Sequence, residues 1–197
     1  MPRTLAACRQ VKLLTSRRWR ARLAVLLPAS ALLASVLTAT PASADDYGYG
    51  MLTTPVQVGP DQYACLDDWQ GATFPGAIVT SYPCDTNDNA ERWAYDYTNE
   101  TLHLAAPDGT ALNSCVDVYG AGTVNGTPVI LWPCSSTDPA QIWFYESGGL
   151  FYNPNSAKCL DIPRWSVTQT GGPPIQLDIW TCKMPWETNQ QWNWALR

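Results

Sequence analysis

Three aspartates in this chain stand two residues after a cysteine: Asp67 in "CLD", Asp117 in "CVD" and Asp161 in "CLD". Further along, an aromatic ring stands two residues before another cysteine: Tyr82 in "YPC", Trp132 in "WPC" and Trp180 in "WTC". A carboxylate can accept charge-assisted hydrogen bonds from two neighbouring hydroxyls, and an exposed ring is a flat apolar platform that is ordered at small entropic cost. Together they have the chemistry to hold a hydroxylated ligand. Beside a disulfide, the same carboxylate can instead cap backbone N–H groups in a turn, and the ring can simply pack.

The elements that position these residues repeat. Cys65 and Cys84 are 19 residues apart, Cys115 and Cys134 19, and Cys159 and Cys182 23; each pair is followed by a tryptophan, at Trp93, Trp143 and Trp192. Six cysteines allow about 15 pairings, but three copies of one unit imply that each bridge closes within its own copy: Cys65–Cys84, Cys115–Cys134 and Cys159–Cys182. A loop of that length closed by a disulfide contributes about 3 kcal/mol on the chain-entropy model. Repetition at this period means that one unit cannot bury its apolar face alone, whereas three assembled units can. "GAIVTSYPC", "TPVILWPC" and "PPIQLDIWTC" are rich in β-branched and aromatic residues and are separated by Gly, Pro and Asn turn signals, so the chain reads as all-β.

Residues 1–44 carry seven basic residues and no acid, then "LAVLLPASALLASVL", then "ATPASA". This is the order of a secretory signal peptide, with cleavage expected after Ala44 and residues 45–197 as the exported, extracellular domain. The apolar run is too short and too interrupted for a membrane anchor. Residues 45–197 hold 5 basic residues against 17 acids, a formal charge of −12. Such a surface repels phosphate backbones and anionic lipid, which argues against nucleic acid and membrane insertion. Cysteines in an exported chain read as disulfides; without a close C-x-x-C pair and with His103 as the one histidine, no metal and no cofactor are expected. The acidic runs "LDDW" at Leu66 and "DTND" at Asp85 read as solvated loops, and His103, within the alternating "TLHLAA", as a structural strand residue.

Three units of C-[LV]-D, aromatic-x-C and a tryptophan preceded by "ER", "QI" or "QQ" resemble the ricin-type β-trefoil lectin domain, also called carbohydrate-binding module family 13. The resemblance implies a β-trefoil: twelve strands in three four-stranded lobes (about 45–97, 98–147 and 148–197) around a pseudo-threefold axis, each with a shallow sugar site possible. It implies that the aspartate accepts hydrogen bonds from sugar hydroxyls, that the ring before the second cysteine stacks on the sugar, and that Trp93, Trp143 and Trp192 lie in the core. The first lobe then offers Asp67 and Tyr82, with Thr80 where a polar wall residue is common and "AER" before its tryptophan. The second offers Asp117, Trp132 and Gln141, with Ile130 and Ala140 in place of polar partners. The third has the fullest polar set, Asp161, Trp180, Asn189 and Gln190, and is the expected principal site. Four extra residues between its cysteines leave either Asp178 or Gln176 as its wall residue, and Trp165 in the inserted loop as a further ring.

The resemblance points to a monomeric, non-catalytic lectin for galactose-type or xylan-type glycans. The rival readings are a glycoside hydrolase working through Asp161 and Asp178, and a protein-binding trefoil such as a protease inhibitor that grips its target with "RWSVTQTGG".

Overall fold

The computed structural model describes residues 47–163, 173–183 and 187–195. The leader, its cleavage point at Ala44 and the inserted loop with Trp165 lie outside the described residues.

Among the described residues, short runs of β-branched and aromatic residues between turns give thirteen strands: β1 (Tyr47–Gly59), β2 (Gln62–Asp68), β3 (Val79–Pro83), β4 (Trp93–Asp96), β5 (Thr101–Ala105), β6 (Ala111–Val118), β7 (Thr127–Trp132), β8 (Phe144–Glu146), β9 (Leu150–Asn153), β10 (Lys158–Asp161), β11 (Ile175–Gln176), β12 (Asp178–Trp180) and β13 (Asn193–Ala195). The fold is the all-β trefoil, and the count exceeds twelve because one strand is interrupted at Leu177. There the backbone leaves its own ladder for the other two lobes: Leu177 N–H donates to Val79 O at 2.9 Å, and Leu177 O accepts from Val129 N–H at 2.9 Å. No helix among the described residues is long and apolar enough to cross a membrane.

The three copies keep one register. Cys65, Leu66 and Asp67 of β2 face Tyr82, Ser81 and Thr80 of β3. Cys115, Val116 and Asp117 of β6 face Trp132, Leu131 and Ile130 of β7, and Cys159, Leu160 and Asp161 of β10 face Trp180, Ile179 and Asp178 of β12. Because side chains alternate across a strand, the residue between cysteine and aspartate points into the core while the aspartate points away from it. Each disulfide joins the expected pair, with Cα atoms 5.0, 5.0 and 5.1 Å apart.

Trp93, Trp143 and Trp192 are fully buried, and with Leu66, Val116, Leu160 and Phe151 they belong to one shared core. Burying an indole removes on the order of 200 Å² from water, worth up to about 5 kcal/mol. Each indole N–H also needs an acceptor inside the core. Trp93 donates to Leu66 O at 2.9 Å, Trp143 to Val116 O at 3.0 Å and Trp192 to Leu160 O at 3.3 Å. The core tryptophan of every lobe thus pins the strand that carries the aspartate.

Candidate functional site

Two residues before each core tryptophan lies a second clasp. Gln141 accepts from Ser135 N–H at 2.7 Å and donates to Pro133 O and Asp117 Oδ2, both at 3.0 Å. Gln190 accepts from Lys183 N–H at 2.9 Å and donates to Thr181 O at 3.2 Å and Asp161 Oδ1 at 2.7 Å. One amide therefore ties the residues flanking the second cysteine to the aspartate. Asn189 adds a bond to Asp161 Oδ1 at 2.9 Å and another to Ile162 O at 3.0 Å. All three amide side chains are completely buried, so they lie behind the aspartates and orient them.

The second lobe holds a well-defined concavity of about 380 Å³, in the range of small-ligand sites. Asp117 forms its floor and Ile130 and Ala140 its apolar back, with Trp132, Tyr119 and Asp138 at the sides. Trp132 is 46 % exposed and Tyr119 63 % exposed. Tyr119 is brought there by a 3-10 turn, Tyr119–Ala121, in which Gly120 takes φ 59° and ψ 25°. Asp138 accepts from Ala140 N–H at 2.9 Å and so fixes the turn leading to Gln141. Burial raises the Asp117 carboxyl above the usual carboxylate range, and the Gln141 bond opposes this.

In the third lobe the register sets Asp178 opposite Asp161, with Trp180 39 % exposed two residues on. Gln176 is instead paired with Thr80 of the first lobe, and its amide donates to Val129 O at 3.2 Å. Burial pushes Asp161 up to about 6, against the pull of Gln190. Asp178 rises to about 7, first through burial and then through repulsion from Asp161. Asp178 Oδ1 is buried and has no hydrogen-bond partner among the described residues.

The first lobe is built differently. Thr80 donates to Asp67 Oδ1 at 2.9 Å from directly across the hairpin. Glu91 replaces the clasping glutamine, and its two oxygens accept from Asp85 N–H at 3.1 and 2.9 Å. Tyr82 leans edge-on against Trp69, with ring centroids 6.2 Å apart. "LDDW" is not a solvated loop: Asp67 and Asp68 are each 3 % exposed, because the run ends strand β2 instead of leaving it. "DTND" is exposed as expected.

His103 bonds Thr101 Oγ1 at 2.8 Å and Leu112 O at 3.0 Å within the β5–β6 ladder. It sits beside Cys115 and Cys134, whose sulfurs are spent in a disulfide and cannot act as thiolate ligands. Tyr119 and Asp138 were not singled out from sequence. The signals were present: a ring two residues after the aspartate (Trp69, Tyr119), and an acid three before the clasp (Asp88, Asp138, Glu187).

Residues 54–192 match the family model of the ricin-type beta-trefoil lectin domain. No curated protein matches the chain. Among solved structures, it resembles a designed threefold-symmetric protein, ThreeFoil, at 22 % identity and a TM-score of 0.57, covering 77 % of this chain and 100 % of that one. It also resembles the agglutinin from Abrus precatorius, at 19 % identity and a TM-score of 0.57, over 79 % of this chain and 51 % of that one. A non-toxic homologue of type II RIPs from Momordica charantia (bitter gourd), solved with α-methyl-D-galactoside, is 15 % identical with a TM-score of 0.54, over 76 % and 48 % of the two chains. The chain thus spans about half the length of the two plant proteins.

Proposed function

The chain belongs to the ricin-type β-trefoil lectin domain family, and from that premise we propose that it is an exported, non-catalytic carbohydrate-binding protein whose best-formed site is in the second lobe. The observation that carries this reading is the concavity at Asp117, where a carboxylate oriented by Gln141 is flanked by the exposed rings of Trp132 and Tyr119. Asp117 would accept two sugar hydroxyls, and Trp132 would stack on the apolar face of the ring. Asp161 and Trp180 hold the equivalent positions in the third lobe and supply a second, more acidic site. A galactose-type ligand is favoured over a xylan-type one by the galactoside held by the bitter gourd protein.

Binding rather than hydrolysis fits the carboxylates. Asp161 and Asp178 stand side by side on adjacent strands, an arrangement that gathers hydroxyls instead of flanking a glycosidic bond from two sides.

A glycan array on the oxidised protein tests the proposal. Each charge-assisted bond contributes about 1.5–3 kcal/mol, so Asp117→Ala should weaken binding at least tenfold, and Trp132→Ala should lower it with the fold retained. Retention of full affinity by both variants, with loss in Asp161→Ala and Trp180→Ala, would move the principal site to the third lobe. Absence of any glycan signal from the wild-type protein would overturn the lectin reading.

A further inference from the structure

Asp68 occupies a position that its counterparts give to the core. Asp68 N–H donates to Ala90 O at 3.0 Å, as Val118 N–H does to Ala140 O at 3.1 Å and Ile162 N–H to Asn189 O at 2.9 Å. Val118 and Ile162 are fully buried core residues. In the first lobe the same place holds a carboxyl that is 3 % exposed, whose Oδ1 has no hydrogen-bond partner among the described residues. The adjoining 3-10 turn, Trp69–Gly71, has no side-chain cap bond of good geometry, although its Gly71 N–H lies close enough to act on the carboxyl.

This carboxyl lines a cavity of about 210 Å³ between the first lobe and the β5–β6 hairpin. Its apolar lining is the buried Leu104 and Ala105 and the half-buried Leu112, with exposed Thr73 and Pro107 beside them. The charged groups around it are mostly acids. Burial, then Asp67 and Asp88, push the Asp68 carboxyl up to about 8, with the Gly71 N–H opposing. Arg92 donates to Asn89 Oδ1, in the cavity lining, at 2.9 Å and to the Tyr49 hydroxyl at 3.1 Å. A buried carboxyl in the lining of a small, mostly apolar cavity, with acids as neighbours, suits a donor that carries positive charge on a short apolar body.

We propose that this cavity is a second binding site, separate from the sugar concavities, which takes a small primary alkylammonium group with its charge on Asp68 and its methylenes against Leu104 and Leu112. The chemistry is the same for a free amine and for the end of a lysine side chain. Neither Asp67 nor the second-lobe concavity contributes to it, so it stands apart from the lectin reading.

The probe is n-butylamine, titrated into the 15N-labelled, oxidised protein at about pH 9, above the Asp68 value of about 8 and below the ~10.4 of a primary alkylamine. Saturable shifts are expected at the Gly71, Ala90, Ala105 and Leu112 amides in the millimolar range, with no such response to 1-butanol. Asp68→Val, which restores the residue type of the other lobes, and Asp68→Asn should both fold and lose the response. A lysine-containing peptide run alongside assigns the site to free amines alone or to side chains as well. Equal responses to butylamine and butanol would reduce the site to an apolar hollow, and persistence of the response in Asp68→Val, or none in the wild type, would overturn the proposal.

Discussion

Replacing Glu91 with glutamine should stabilise the protein, by an amount that grows with pH. Gln141 and Gln190 each give two hydrogen bonds that an ionised glutamate cannot, one to the aspartate and one to the carbonyl before the second cysteine. Glu91 is completely buried, and that burial, with Asp67, Asp88 and Asp85 adding to it, pushes its carboxyl from 4.5 to about 8 against the Asp85 N–H bond. Its folded value lies above its unfolded value, so between about pH 4.5 and 8 the folded chain binds more protons than the unfolded one, and stability falls as pH rises through that window. At about 1.4 kcal/mol per unit, the whole interval sets a ceiling near 5 kcal/mol. Asp67 and Asp68 titrate in the variant too, so about half of that is the expected gain once the window is passed. For a domain of this size, each kcal/mol moves Tm by about 2–4 °C. Thermal unfolding of oxidised wild type and Glu91→Gln should therefore give a small Tm difference at about pH 5 that widens to roughly 5–10 °C by about pH 9. A difference that stays constant with pH, or a variant less stable than wild type at about pH 9, would refute the assignment of Glu91 as a buried, charge-penalised substitute for glutamine.

Gln190→Ala should cost about 3 kcal/mol, because it removes the bond from Lys183 N–H and strips Asp161 of its 2.7 Å bond; the drop in Tm checks this, and glycan binding by the third lobe should weaken with it. Gly149→Ala should be at least as damaging as an exposed Gly→Ala change is mild. Gly149 has φ 82°, and a Cβ there would lie 2.5 Å from Trp192 O. Soluble yield and Tm of that variant close to wild type would show that the turn can shift away from the core tryptophan.

The repeat was legible because its parts are chemically coupled. The indole N–H of each buried tryptophan requires the carbonyl between cysteine and aspartate, so the two motifs recur together and set the spacing of the fold. Residue type counts Asn189, Gln190 and Gln141 among sugar contacts; the structure buries all three and bonds them to Asp161 and Asp117. Gln190 ends a 3-10 turn and Gln141 a bend just before the buried tryptophan, so strand alternation does not place them and their inward position shows only in the structure. Asp178 and Gln176 could not be separated by counting, since the extra residues between Cys159 and Cys182 shift any count; only pairing across the hairpin does so. Ranking lobes by polar residues favours the third, while the second-lobe concavity is lined by rings that stand clear of the sheet. Tyr119 does so because Gly120 allows a left-handed turn.

The first lobe shows how symmetry in the frame permits divergence at the surface. Where its counterparts bury Val118 and Ile162, and Leu131 and Ile179, it buries Asp68 and Ser81, each with an unpartnered oxygen. Where they place a clasping amide it has Glu91. Each orphaned group costs about 1–3 kcal/mol, which a fold stapled within every lobe can absorb. The departures are not scattered: Asp88 acts on the carboxyls of Asp67, Asp68 and Glu91, and Asp67 on those of Asp68 and Glu91. Loss of a sugar platform alone would leave a neutral, apolar patch behind. A buried acid beside a mostly apolar cavity is a different outcome, and it is the arrangement on which the proposed alkylammonium site rests.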